Sequence, residues 1–323
     1  MHSGSCRSSS LMEAKTVNVE RWIAENKEDF VPPVCNKCMF SEQLKVFFVG
    51  GPNSRKDYHL EEGEEFFYQR NGDMVLKVIE RGHPRDITIK EGEIFLLPSR
   101  VEHSPQRFAN TVGFVVERTR ENTEFDCVRR QPNNVPTNDS YCADAAHVEQ
   151  YRQIHQVIRY FVEGSTERLF ERWFHLNDVV RDLPPLIRTF HCSDEYRTGK
   201  PGKNSFLVNA PYEPVPTHLH KPINLRDFIE SHSHLLLKGP IPIYEPPRYS
   251  SHVLLYGEGK YSLHTDDYEL LLWIMDDSYA VLEGSNVERL LESLSMTLCP
   301  PRSKYQLHVR RGQVLTLHMM PEL

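Results

Sequence analysis

Three residues in the first third of the chain have the types and spacing of a metal site. His59 is followed by five residues and then Glu65, and His103 lies further along, after a predicted hairpin. Two imidazole nitrogens and one carboxylate oxygen leave coordination positions open, an arrangement typical of non-haem Fe(II) oxygenases. We therefore interpret His59, Glu65 and His103 as metal ligands.

The sequence around these residues resembles the two motifs of cupin barrels, at residues 51–72 and 92–107. In such a barrel alternate strand residues point inwards, so ligands from neighbouring strands converge although they lie far apart in sequence. The chain departs from the motifs at three positions: Glu61 replaces a second histidine, Arg100 replaces a glycine and Arg107 replaces an asparagine. The first departure turns a four-ligand site into a three-ligand one.

A solvated, charged hairpin is the alternative interpretation, because four glutamates lie within residues 61–65. Against it, both candidate histidines, the ligand glutamate, Gly72, Gly92 and Pro98 all fall in register with the motifs. A match at this many positions is less expected by chance than a match of one short pattern. The sequence favours the metal site.

Longer segments are similar to animal-type, two-barrel 3-hydroxyanthranilate 3,4-dioxygenases. The similar segments are residues 34–37, 43–46, 50–59, 92–98, 103–118 and 196–200. The resemblance implies that Fe(II) and O2 cleave the ring of 3-hydroxyanthranilate to 2-amino-3-carboxymuconate 6-semialdehyde. That product cyclises to quinolinate on the route to NAD.

The same resemblance implies roles for further residues. Arg107 shares strand parity with the second ligand histidine and would bind the substrate carboxylate through a planar guanidinium. Arg55 has the parity of the first ligand histidine and would approach O2. Glu117 would accept a hydrogen bond from the substrate amine or hydroxyl, or carry a proton. Glu65 would also contact the substrate through its second oxygen. For an isolated arginine, a surface ion pair is the alternative.

The length of 323 residues predicts two domains, and strand-like runs predict a mainly β fold. The expected fold is two cupin (double-stranded β-helix, or jelly-roll) barrels with flanking helices. We expect a disordered extension at 1–15, a catalytic barrel at 16–202 with an inserted loop at about 131–143, a linker at 203–222 and a metal-free barrel at 223–323. Residues 145–162 and 166–175 are predicted to be helical.

The second domain repeats the ligand pattern only faintly. His264 and Glu269 echo the first motif, but a tyrosine and a glutamine at 305–306 stand where a second histidine would be needed. We expect this copy to bind no iron. Histidine pairs at 218–220 and 232–234 lack a carboxylate at the required spacing and are interpreted as loop or helix-surface residues.

Composition narrows the class of protein. Hydrophobic residues make up 39% and charged residues 26%, and no apolar run reaches the roughly 18 residues of a membrane span. A net charge of −7 does not indicate nucleic-acid binding. The first fifteen residues lack the apolar core of a signal peptide, so we expect a cytosolic protein. We expect a monomer whose partners are small molecules.

Seven cysteines at irregular spacing indicate reduced thiols. Cys35 and Cys38 lack the two further ligands of a structural metal site. Two other functions stay open: a zinc-dependent cupin isomerase and a non-catalytic cupin binding module. The isomerase normally keeps the fourth ligand that Glu61 replaces, and a binding module would be expected to lose ligands in both domains.

Overall fold

The computed structural model describes residues 13–30, 35–53, 55–119, 156–161, 165–174, 179–207, 210, 212–284 and 288–321. These form two compact units. One unit comprises Asn26–Ser231, and the other combines the N-terminal residues up to Glu25 with His232–Met320. Among the described residues, no helix has both the length and the apolar character needed to cross a membrane.

The described residues of the unit 26–231 form two antiparallel sheets of six strands each. The first has the spatial order β13 (Ile223–Asn224), β8 (Glu93–Leu97), β5 (Glu65–Asn71), β10 (Val112–Arg118), β3 (Leu44–Gly50) and β2 (Asn36–Ser41). The second has the order β12 (Arg168–Phe174), β11 (Gln156–Phe161), β4 (Tyr58–Glu61), β9 (His103–Arg107), β6 (Met74–Glu80) and β7 (His83–Ile89). A 3₁₀ turn covers Lys27–Phe30.

The two sheets of this unit pack face to face through a shared apolar core. Phe67 and Val115 of the first sheet and Leu76 and Val78 of the second are buried in one cluster. Strand β3 alternates between buried and half-buried residues, and Val49 of the half-buried set packs against this cluster. The inner faces of β5, β9 and β10 therefore point into the space between the sheets.

Tight turns that contain glycines of the cupin motifs connect these strands. Gly72, between β5 and β6, and Gly92, between β7 and β8, adopt φ of +65° and +79°, which glycine reaches without a steric penalty. Arg100 adopts φ of +55° at the position where the cupin motif has glycine. Its guanidinium forms an ion pair with Glu62 at 3.1 Å, and its backbone N–H donates to the Glu61 carbonyl.

In the other unit, the described residues form one sheet of six strands and one of four. The larger has the order β1 (Lys15–Asn18), β20 (Ser295–Cys299), β17 (Leu270–Ile274), β22 (Val314–His318), β15 (His252–Tyr256) and β14 (Ile241–Tyr244). The smaller has the order β16 (Gly259–Thr265), β21 (Ser303–Arg311), β18 (Tyr279–Glu283) and β19 (Glu288–Leu291). Their shared core is apolar, with Leu263, Leu272 and Leu307 buried in it.

The described part of the chain also contains four helices: α1 (Val19–Glu25), α2 (Val179–His191), α3 (Asp194–Thr198) and α4 (Leu225–Leu236). Two helix predictions are wrong where the chain is described, because residues 156–161 and 168–174 are strands β11 and β12. Strand β11 pairs with both β4 and β12, and such pairing overrides local helix propensity. The predicted inserted loop at 131–143 lies outside the described residues.

The observed units differ from the predicted domain boundaries. Strand β1 pairs with β20, so it belongs with the C-terminal unit although we assigned residues 16–202 to the first barrel. Strand β13 pairs with β8, so the first unit extends past residue 222. The predicted linker at 203–222 contacts the first barrel, where the Leu219 N–H donates to Glu80 and the Tyr212 hydroxyl donates to the Leu60 carbonyl.

Candidate functional site

The two candidate ligand histidines lie directly opposite each other inside the first barrel. His59 on β4 and His103 on β9 are register partners, so their side chains point to the same face of the sheet. Both are buried, and their ring centroids are 5.9 Å apart. Glu65 on the facing sheet brings its Oε1 to 2.9 Å from His103 Nε2. The structure therefore brings the three residues into one interior space.

The contacts of His103 define the orientation of its ring. Its Nδ1 lies 3.0 Å from the Val101 carbonyl, which can only accept, so Nδ1 carries the proton and Nε2 faces Glu65. Burial lowers the pKa of His103, but the charge and hydrogen bond of Glu65 and the Val101 carbonyl outweigh burial and raise it. A histidine held through its other nitrogen is typical of metal ligands.

His59 contacts an ion pair that the sequence analysis did not identify. Its Nε2 lies 3.1 Å from Asp57 Oδ2 and 2.5 Å from Arg55 Nη2, and Arg55 bonds to both oxygens of Asp57. Burial and the Arg55 charge lower the pKa of His59. Burial alone would raise the pKa of Asp57, but Arg55 and His59 hold it well below its usual range.

The donor chemistry of this space fits a divalent transition metal, because it offers two imidazoles and a carboxylate. In the described part of the chain, however, no three such side chains are grouped in metal-binding geometry, since His59 Nε2 faces Asp57 and Arg55. The ligand set His59, Glu65 and His103 therefore stays a prediction.

Arg107 is a buried cation on the inner face of β9, only 4% exposed. Its Nη1 donates to Gln69 Oε1 at 2.6 Å, while its Nε contacts no acceptor among the described residues. Burial lowers the pKa of Arg107 to about 10, so the guanidinium is charged at neutral pH. A buried cation with a free donor can bind an anionic group that enters the barrel.

Glu117 lies on the same inner face, on strand β10. Val116 pairs with Phe66 of β5, so the next residue of β10 lies beside Glu65. Glu117 is buried, and its negative charge contributes, after burial, to the raised pKa of Cys38. The predicted substrate-binding glutamate therefore lies beside the predicted ligand glutamate.

Sequence reasoning missed Asp57 and Gln69. Asp57 has the parity of His59, and Gln69 has the parity of Glu65, so strand alternation places both on inner faces. That signal was available but does not distinguish a functional residue from any other buried polar one. The thiols of Cys35 and Cys38 are free.

Comparison with solved structures shows the class of protein. Salicylate 1,2-dioxygenase from Pseudaminobacter salicylatoxidans superposes with a TM-score of 0.55, covering 95% of this chain and 84% of that one at 10% identity. At this identity the likeness shows the fold alone. The chain has a cupin fold, and the predicted mainly β cupin fold is confirmed.

Sequence comparison shows the particular family. The model of the 3-hydroxyanthranilic acid dioxygenase family matches residues 11–135. The 3-hydroxyanthranilate 3,4-dioxygenase of Caenorhabditis elegans is 51% identical over 94% of this chain and 97% of its own length. That of Rattus norvegicus is 40% identical over 93% and 94%, and that of Homo sapiens 42% identical over 84% and 84%. The chain belongs to the 3-hydroxyanthranilic acid dioxygenase family, which confirms the predicted resemblance.

Proposed function

We propose that this protein is a 3-hydroxyanthranilate 3,4-dioxygenase. It would use Fe(II) and O2 to open the substrate ring, giving 2-amino-3-carboxymuconate 6-semialdehyde, which cyclises to quinolinate. The buried guanidinium of Arg107, in the barrel that holds His59, Glu65 and His103, carries the proposal. Relatives of that name at 40–51% identity support it.

His59, Glu65 and His103 would hold the metal. Bound there, Fe(II) would supply electrophilic activation and electrons for reaction with O2, in coordination positions that a three-ligand set leaves open. Iron is our proposal within the broader expectation of a metal cofactor for this family. The chain contributes the remaining functions through side chains of the two facing sheets.

Arg107 would bind and orient the substrate through its carboxylate. The arginine is charged at neutral pH despite its burial, and its Nε is available as a donor. A charge-assisted hydrogen bond contributes roughly 1.5–3 kcal/mol when water is excluded. Fixing the carboxylate fixes the ring, so the hydroxyl and amine of the substrate would be directed towards the histidines.

Glu117 would act on protons of the substrate, and Arg55 would stabilise negative charge that develops near it. Glu117 would accept a hydrogen bond from the substrate amine or hydroxyl and could take a proton at its carboxylate. Arg55, fixed by Asp57 beside His59, would place positive charge where O2 gains electrons. A preorganised cation in a buried site stabilises such charge more strongly than water does.

Anaerobic reconstitution with Fe(II) tests the proposal. Addition of 3-hydroxyanthranilate and then O2 should give the absorbance of the semialdehyde, followed by its decay to quinolinate. Protein loaded with Zn(II) should give none, because zinc has no redox chemistry. Absence of product from fully Fe(II)-loaded protein would refute the proposed function.

We further propose that the enzyme acts as a cytosolic monomer whose partners are 3-hydroxyanthranilate and O2. The net charge of −7 and ordinary composition support small-molecule partners rather than nucleic acid. Sedimentation velocity at micromolar concentration tests the oligomeric state, and a dimer that persists on dilution would contradict a monomer.

A further inference from the structure

We infer that Gln69 is a positioning residue: it holds the guanidinium of Arg107 in one orientation, in the space that the missing side chain of Gly113 leaves open. In that orientation the Nε of Arg107 has no acceptor among the described residues and stays free to donate to a carboxylate. The inference rests on the proposed function, because it concerns the arginine that would bind the substrate. It concerns two residues that would act through Arg107, the neutral amide Gln69 and the glycine Gly113, both on the sheet opposite Arg107.

Gln69 is held in one orientation by three hydrogen bonds. Its side-chain Nε2 donates to the Gly72 carbonyl at 2.8 Å, and its backbone carbonyl accepts from the Gly92 N–H at 2.8 Å. Because the amide nitrogen is committed to a carbonyl, the amide oxygen must face the other way. That oxygen accepts from Arg107 Nη1 at 2.6 Å, and the side chain is fully buried.

Gly113 leaves the space in which this contact forms. Gly113 and Gln69 are register partners on β10 and β5. A β-carbon at Gly113 would lie 2.2 Å from Gln69 Oε1, 2.5 Å from the Tyr68 carbonyl oxygen and 3.0 Å from Arg107 Nη1. The first two distances are shorter than a carbon–oxygen contact allows, so a larger residue would displace either the amide or the guanidinium.

A neutral partner also suits the proposed role of Arg107. A carboxylate at position 69 would neutralise the guanidinium, whereas an amide oxygen accepts one N–H and leaves the positive charge uncompensated. The Nε of Arg107 then remains a buried donor with no acceptor among the described residues. Such a group gains most from an incoming anion, so the pair should select substrates that carry a carboxylate.

Two ligands that differ only in the carboxylate test this inference. The dissociation constants of 3-hydroxyanthranilate and 2-aminophenol are measured by anaerobic calorimetry with Fe(II)-loaded protein, and KM and kcat are measured for the first. Gln69→Met keeps the volume but removes both polar contacts. We expect it to weaken 3-hydroxyanthranilate binding about tenfold, as for loss of one hydrogen bond to a charged group, and to change 2-aminophenol binding less than twofold.

Gln69→Glu provides a second variant in case the first does not fold. It keeps an acceptor for Arg107 but adds a competing negative charge, so it should weaken 3-hydroxyanthranilate binding more than Gln69→Met and again spare 2-aminophenol. Gln306→Met, an exposed glutamine of the other unit, is the matched control and should change neither constant.

Equal weakening of both ligands, or of neither, would overturn the positioning role. A rise in KM with little change in kcat would support it, since positioning of the carboxylate acts first on binding. Wild-type protein that binds 3-hydroxyanthranilate but forms no semialdehyde would instead refute the proposed function, so the two failures are distinguishable.

Discussion

At the scale of single residues, most buried charges of the site have a charged partner, but among the described residues Arg107 keeps its Nε free as a hydrogen-bond donor. Arg55 and Asp57 compensate each other beside His59, and Glu65 is matched by His103. Arg107 has only a neutral amide at its Nη1. Burying an uncompensated charge is costly unless a ligand repays it. Arg107 is therefore the residue whose substitution should act most selectively on substrate binding.

Arg107→Ala should raise the KM for 3-hydroxyanthranilate by roughly 10- to 100-fold, since a hydrogen bond to a charged group is worth about 1.5–3 kcal/mol. Iron content should hold, because no predicted ligand is changed. Steady-state kinetics and metal analysis measure both. Arg302→Ala is the control, since Arg302 and its partner Asp267 are both largely exposed. An unchanged KM in Arg107→Ala would remove this residue from the site.

Thiol reactivity should report the environments of the described cysteines. Burial first, and then the charge of Glu117, raise the pKa of Cys38 to about 11, and burial raises that of Cys299 to about 12. Because the thiolate is the reactive form, alkylation at pH 8 should modify the exposed Cys192 before Cys38 and Cys299. The rate at Cys38 should increase as the pH rises towards 11.

Iodoacetamide labelling followed by peptide mass spectrometry measures these rates. In denaturant Cys38, Cys192 and Cys299 should react at similar rates, which serves as the control. Native Cys38 that is labelled at pH 8 as fast as Cys192 would contradict the half-buried, high-pKa environment of Cys38.

At the scale of secondary-structure elements, some strands can be predicted from the sequence of a short segment, and others depend on pairing with residues that are distant in the sequence. The strands around the site were predictable because one buried face produces alternation within a single segment, as in Leu44–Gly50. The ligand histidines were predictable from motif spacing, and their pairing on β4 and β9 follows from it. Residues 156–161 and 168–174 were mistaken for helices because their strand structure depends on pairing with β4 and with each other.

The same limit explains the residues that were missed at the site. Asp57 and Gln69 acquire their roles from side chains that lie near them only after folding. Gln69 reaches Arg107 across 38 positions of sequence, and no short pattern marks that contact. The pairing of β1 with β20 joins residues even further apart, so composition could not assign the N-terminal strand to the C-terminal unit.

Removal of β1 should therefore destabilise the unit that contains β20. The strand forms a four-residue ladder with β20, and Thr16 Oγ1 lies 3.0 Å from Thr297 Oγ1. Net contributions of about 0.5–1.5 kcal/mol per hydrogen bond suggest a loss of about 2 kcal/mol. Calorimetry of a chain that begins at Val19, compared with one that begins at Glu13, measures it. Identical unfolding of the two chains would show that the pairing contributes nothing.

At the scale of the whole molecule, both units have an apolar core between two sheets, but they differ in where the histidines of the cupin motif lie. In the first, paired strands β4 and β9 carry His59 and His103 on their inner faces. In the second, the paired strands β16 and β21 bury Leu263 and Leu307 between the sheets. His264, the histidine that echoes the first motif, is exposed on β16. The two units thus differ in where the motif histidines lie: inside the barrel in the first unit and on the surface in the second.

This difference between the two units predicts one metal ion per chain. Anaerobic reconstitution with excess Fe(II), desalting and elemental analysis should give a ratio near one, because the first unit brings His59, His103 and Glu65 into one interior space, whereas the motif histidine of the second unit is exposed. His103→Ala should abolish metal retention, since it removes the ligand opposite both His59 and Glu65. His264→Ala is the matched control and should leave the ratio unchanged, because its imidazole faces solvent. Two ions per wild-type chain, or loss of metal in His264→Ala, would place a second site in the C-terminal unit and contradict the prediction.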